Sequence, residues 1–113
     1  MQLKRVVVTG LGALTPIGNN IEEYWNALVS GASGAAPITH FDASKSKTRF
    51  ACEVKNFNPT DFINRKDARK MDKFTQYAMV ASDEAIADSN LDLETINKLR
   101  VGVIWGAGIG GLE

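Results

Sequence analysis

The chain has 113 residues, 44% hydrophobic and 23% charged, and its 13 Lys and Arg balance 13 Asp and Glu. A neutral chain lacks the net basic face that general nucleic-acid or membrane-surface binding needs. One cysteine excludes an internal disulfide and fits a reducing, cytoplasmic setting; the apolar run near the N-terminus, broken by Thr9 and Gly10, is too short for a signal-peptide core or a membrane span.

Val6–Val8 is an uninterrupted β-branched run of the kind found in buried parallel strands, and Gly10 and Gly12 end it. A helix is predicted next. Asn20 is its N-cap, Glu23 stands where a capping box needs it, and Gly31 is placed to end it. Ile21, Trp25, Leu28 and Val29 share one stripe of that helix. Residues 31–49 read as a long loop, expected to lie across a surface this stretch does not supply. Phe50, Cys52 and Val54 alternate with Ala51, Glu53 and Lys55, which predicts a short half-buried strand with Cys52 on the apolar face. Asn58 and Pro59 open a turn or short helix. The longest element is a packed helix from about Met71 to Ser89, with Met71, Phe74, Ala78, Ala81 and Ala85 on one stripe. A short helix or turn follows through Leu99. Residues 100–105 then read as a second buried strand, running into Gly106, Gly108, Gly110 and Gly111. The order is strand, helix, loop, strand, helix, strand, an α/β pattern. If the first and last strands are parallel in one sheet, both glycine turns fall at the same edge, where α/β proteins place their sites.

The candidate chemistry is uneven. Gly10-x-Gly12 invites a dinucleotide site, but Thr15 stands where the third glycine is required, and no acidic residue follows at the ribose position. A tight turn with close backbone approach is the better reading. Cys52 and His40 are the only residues of their types. Cys52, placed among apolar neighbours, reads as a structural thiol and His40 as a loop histidine. No metal-ligand spacing is present. Arg65, Lys66, Arg69, Lys70 and Lys73 form a local positive patch against Asp67 and Asp72. It reads either as a solvated face or as a docking site for an acidic partner, with Lys66, Lys70 and Lys73 on one face if the helix reaches that far back. The final glycines read either as a simple turn or as the wall of an apolar pocket into which Ile109 projects from beside Gly108.

Four blocks in order, KRVVVTGLGALTPIGN, HFDASKSKTRFACEVKNF, INRKDARKMDKFTQYA and GVIWGAGIGGLE, resemble the opening of the β-ketoacyl-acyl carrier protein synthases, in particular the type II condensing enzyme of bacterial fatty-acid synthesis. The resemblance covers nearly the whole chain, and it implies that residues 1–113 are an incomplete N-terminal portion of a longer enzyme. The implied fold is α/β, the first part of a thiolase-like arrangement of helix, sheet, helix, sheet and helix layers, in a homodimer. The implied reaction is a decarboxylative Claisen condensation of an acyl thioester with malonyl carrier protein, needing no metal or nucleotide. The family's nucleophilic cysteine and two histidines fall beyond Glu113, so no catalytic residue is assigned here. Lys66, Arg69 and Lys70 match the basic cluster that relatives present to acyl carrier protein. Gly108 and Ile109 match the wall of the acyl-chain pocket, with Ile109 as its gate. Trp105 and Ala107 depart from the small residues expected in that stretch. Two other readings stand beside this one: a non-catalytic partner subunit of a ketosynthase, and a nucleotide-binding oxidoreductase domain.

Overall fold

The computed structural model describes residues 3–111. Helix α1 spans Ile21–Val29, and the predicted caps hold it. The Asn20 side chain accepts from the Glu23 backbone N–H, and Gly31 follows the last turn at φ +70°. The Glu23 carboxylate bonds the Asn19 N–H at 2.8 Å, which fastens the entry to the helix one residue earlier than a capping box would. Two short strands, β1 (Ala36–Pro37) and β2 (Phe50–Ala51), pair antiparallel with Ala36 opposite Ala51. A segment expected to be wholly loop thus supplies one side of a small ribbon. A 3-10 turn at Pro59–Asp61, capped by Asn58, leads to the short helix α2 (Arg65–Ala68). Helix α3 (Lys73–Asp88) is the longest element, and it buries Ala78, Val80 and Ala81. A second 3-10 turn, Lys98–Arg100, precedes the final segment.

Helix α3 organises the rest. The stripe of small residues lets the first glycine turn lie directly on its backbone. A Cβ at Gly12 would meet the Ala81 carbonyl oxygen and stand 2.8 Å from the Ala85 nitrogen. A Cβ at Gly10 would meet the Ala85 carbonyl and the Ser89 nitrogen. Helix backbone cannot swing aside, so Gly12→Ala should separate the turn from α3 and lower stability by roughly 1–3 kcal/mol. A melting temperature unchanged by that substitution would remove this contact from the account.

The turn is also held by charge. The Leu11 N–H donates to Asp88 Oδ2 at 2.8 Å, and the Ala13 N–H donates to Glu84 Oε2 at 2.8 Å. The other Glu84 oxygen accepts from the Ile21 N–H, also at 2.8 Å. One carboxylate on α3 therefore fastens both the glycine turn and the start of α1. Lys55 closes the opposite side, where its Nζ donates to the carbonyls of Gly34 at 2.8 Å and Pro16 at 3.1 Å.

The two valine-rich runs are not strands among the described residues. Val6–Val8 and residues 101–105 have no ladder partners, and their side chains lie largely in solvent, with Val6 89% and Ile104 98% exposed. A strand exists only through inter-strand hydrogen bonds, and no described residue provides them. The α1 stripe is similarly uncovered, Trp25 being 64% exposed. The buried apolar set among the described residues is Ala68, Ala78, Val80 and Ala81, with no large side chain fully enclosed. The radius of gyration is 17.3 Å, against about 13 Å for a closed domain of this length. The described residues form an open scaffold around α3, with its apolar edges uncovered.

Candidate functional site

Lys66, Arg69 and Lys70 lie within five residues at α2 and the turn that follows it. Asn64 starts α2 by accepting the Lys66 N–H on its side chain at 2.9 Å. The Arg69 N–H closes the turn on the Arg65 carbonyl at 3.3 Å. Lys66 lies on α2, Arg69 is its C-cap and Lys70 follows in the turn, while Ala68, 5% exposed, is the buried residue of the helix. All three are exposed. The face expected to run on to Lys73 is interrupted. Helix α2 stops at Ala68, and Lys73 begins a separate helix after a break at residues 69–72.

That break is held by a residue the sequence did not single out. Gln76, on α3, donates from Nε2 to the Ala68 carbonyl at 2.9 Å and to the Met71 carbonyl at 3.1 Å. Nearby, Phe57 stacks on Phe62 with ring centroids 6.1 Å apart and meets Tyr77 edge-on at 5.2 Å. These rings seat the 3-10 turn before α2 against α3.

The second glycine turn reaches the same end of α3. Gly110 lies on the Phe74 ring, and Gly111 leaves only 2.7 Å between its Cβ position and Asp72 Oδ2. Ile109 projects from this turn 77% exposed, and a Cβ at Gly108 would have open space around it. The candidate docking patch and the candidate pocket wall are thus both tied to the first turn of α3, through different residues.

The remaining candidates resolve differently. The first glycine turn offers no anion site, because the N–H groups of Leu11 and Ala13 are already bonded to carboxylates. Cys52 is exposed, not buried as expected, since the β2 ladder ends at Ala51 and the thiol emerges beyond it. It lines a groove of about 380 Å³ with Pro16, Ile17, Tyr24 and Leu28. His40 is elsewhere, with Nδ1 3.7 Å from Glu53 Oε1. The Thr39 hydroxyl donates to Glu53 at 2.7 Å and is the main cause that holds this carboxyl below its ordinary range. Desolvation, next in size, raises it, and the Thr39 and His40 backbone N–H groups lower it further. Among the described residues no three His, Cys, Asp or Glu side chains converge as a metal site, and no helix is long and apolar enough to cross a membrane.

Residues 3–113 match the family described as Beta-ketoacyl synthase, N-terminal domain. The chain belongs to the β-ketoacyl synthase family. It is 50% identical over 113 residues to the 3-oxoacyl-[acyl-carrier-protein] synthase 2 of Synechocystis sp., covering all of this chain and 27% of that relative's length. Among solved structures it resembles the ishigamide ketosynthase/chain length factor, with a TM-score of 0.71 and 39% identity over 78% of this chain and 22% of the other. It also resembles a structure of a type II PKS acyl-carrier protein in complex with its ketosynthase, with a TM-score of 0.61 and 25% identity over 80% of this chain and 23% of the other. The fold class is therefore that of the opening part of the layered α/β ketosynthase fold. This ketosynthase segment spans about a quarter of the length of the curated relative.

Proposed function

We propose that the chain is the opening section of a β-ketoacyl-acyl carrier protein synthase that elongates fatty acids. The observation that carries this is the match from residue 3 to residue 113, together with three exposed cations at a short helix and the turn after it. In the longer enzyme an acyl group passes from the carrier thiol to an enzyme cysteine, releasing the carrier thiol. Malonyl carrier protein loses carbon dioxide, and the resulting carbanion attacks the acyl-enzyme carbonyl. The cysteine leaves as thiolate, and a 3-oxoacyl carrier protein is formed. The nucleophile and the groups that stabilise the enolate oxygen lie outside this segment.

Two parts of the work fall to the residues here. Lys66, Arg69 and Lys70 steer the acidic carrier protein to the site; a carrier-protein partner as such draws on the neighbour solved with its own carrier protein. Gly108 and Ile109 form part of the acyl-pocket wall once the missing side of the pocket is in place. The full enzyme is a cytoplasmic homodimer that uses no cofactor. A second reading, a partner subunit paired with a ketosynthase, draws on the neighbour whose name joins a ketosynthase with a chain length factor.

The test is a condensation assay with acyl carrier protein and malonyl carrier protein. The longer chain carrying this segment should release carbon dioxide and form 3-oxoacyl carrier protein, whereas the 113-residue chain alone should form none. Turnover by the 113-residue chain, or none by the longer one, would contradict the proposal. The second of these results would favour the partner-subunit reading.

A further inference from the structure

Helix α2 has four residues, too few to be stable by its own hydrogen bonds. Its orientation must come from contacts outside it. Its apolar anchor is Ala68, and beyond Ala68 the chain turns through Arg69 and Lys70 to Met71 before α3 begins. The carbonyls at such a helix end have no partner within the helix. The Ala68 carbonyl takes one long bond, 3.3 Å, from the Met71 N–H, and Gln76 adds a partner on both sides of the turn, since its single amide nitrogen, with two protons, bonds Ala68 O at 2.9 Å and Met71 O at 3.1 Å. Arg69 and Lys70 are the two residues between those clamped carbonyls. Gln76 is in turn fixed by α3, where its own N–H bonds the Asp72 carbonyl at 3.1 Å.

We propose that Gln76 is a positioning residue for carrier-protein docking: its carboxamide sets how Lys66, Arg69 and Lys70 are presented to the partner. The proposal rests on the docking reading given above. It assigns Gln76 no contact with the carrier protein and no part in the chemistry. Its loss leaves the charges in place but lets them wander, so the encounter becomes less productive while the reaction after docking is unaltered.

Gln76→Met keeps the length of the side chain and a good helix former while removing both donors. In the longer enzyme this variant should lower the association rate with acyl carrier protein about three- to tenfold at low salt, within the range seen among variants of one interface. The loss should appear in KM for the carrier protein and not in kcat. The deciding comparison is the same substitution in an enzyme carrying Lys66→Gln, Arg69→Gln and Lys70→Gln together. With the charges gone, Gln76→Met should have no further effect on association. Amide exchange at Lys70 and Met71 should accelerate in both backgrounds, which shows that the clamp was broken in a folded protein. An equal loss of association in both backgrounds would overturn the proposal, because Gln76 would then act without the patch. No loss in either background, with the charge-neutralised enzyme itself impaired, would overturn it while leaving the docking reading intact. No impairment from neutralising the three charges would remove the docking reading and this inference together.

Discussion

Reversing the charge at Lys66 and Arg69 in the longer enzyme should slow its association with acyl carrier protein by roughly ten- to a hundredfold at low ionic strength. Both side chains are exposed, Lys66 on α2 and Arg69 at its C-terminal cap. Two reversals change the local charge by four units on a segment that otherwise holds five cations against Asp67 and Asp72. The effect should fall mainly on the association rate, because exposed charges at the rim of an interface guide encounter more than they hold the complex. It should shrink as salt is raised, since the screening length falls from about 30 Å at 0.01 M to about 8 Å at 0.15 M. Stopped-flow mixing with labelled carrier protein across a salt series reads both features. An association rate that is unchanged at low salt would mean the patch is only a solvated face.

The second large effect is expected at Glu84. Replacing it with alanine strips the Ala13 and Ile21 N–H groups of their acceptors at once. An amide left without a partner away from water costs about 1–3 kcal/mol, so Glu84→Ala should loosen this corner by roughly 2–4 kcal/mol. Amide exchange at Ala13 and Ile21 should then accelerate on the order of a hundredfold. Glu84→Gln should lose about half as much, because one oxygen remains to accept while the new NH2 faces a second donor. Asp88→Asn should do less, since Asp88 holds only the Leu11 N–H, at an exposed position. Equal, small effects at all three would show that the glycine turn is held by packing on α3 alone.

Local signals were readable in the sequence where cause and effect lie within one turn of chain. Asn20 and Gly31 bound α1 as capping chemistry requires, while Glu23 reaches back to the Asn19 N–H, one residue before the N-cap. Ala78 and Ala81 are buried on the predicted stripe of α3, and the close approach of Gly10 and Gly12 to that helix follows from the absence of a Cβ. The single face of Lys66, Lys70 and Lys73 expected from spacing is broken by the end of α2 at Ala68, and Lys66, Arg69 and Lys70 are grouped by the family resemblance alone. What escaped were long-range polar ties. Glu84 reaches partners 63 and 71 residues away, and nothing in its neighbourhood distinguishes it from Asp83 or Asp88. Gln76 left a faint sign, a lone amide among half-buried positions of α3. Cys52 misled because alternation predicts two faces but does not say which elements will cover them. The valine runs misled for a related reason: composition announces burial, whereas a strand needs a partner, and none is present among residues 3–111.

Amide hydrogen exchange tests directly whether these two runs find strand partners in the longer enzyme. In the longer enzyme, Val6–Val8 and residues 101–105 should exchange slowly, as inner members of one sheet hydrogen-bonded on both edges. In the isolated 113-residue chain the same amides should exchange at rates near those of unstructured peptide. Strong protection of both segments in the isolated chain, or fast exchange in the longer enzyme, would contradict the assignment of this chain as the uncovered opening of a ketosynthase.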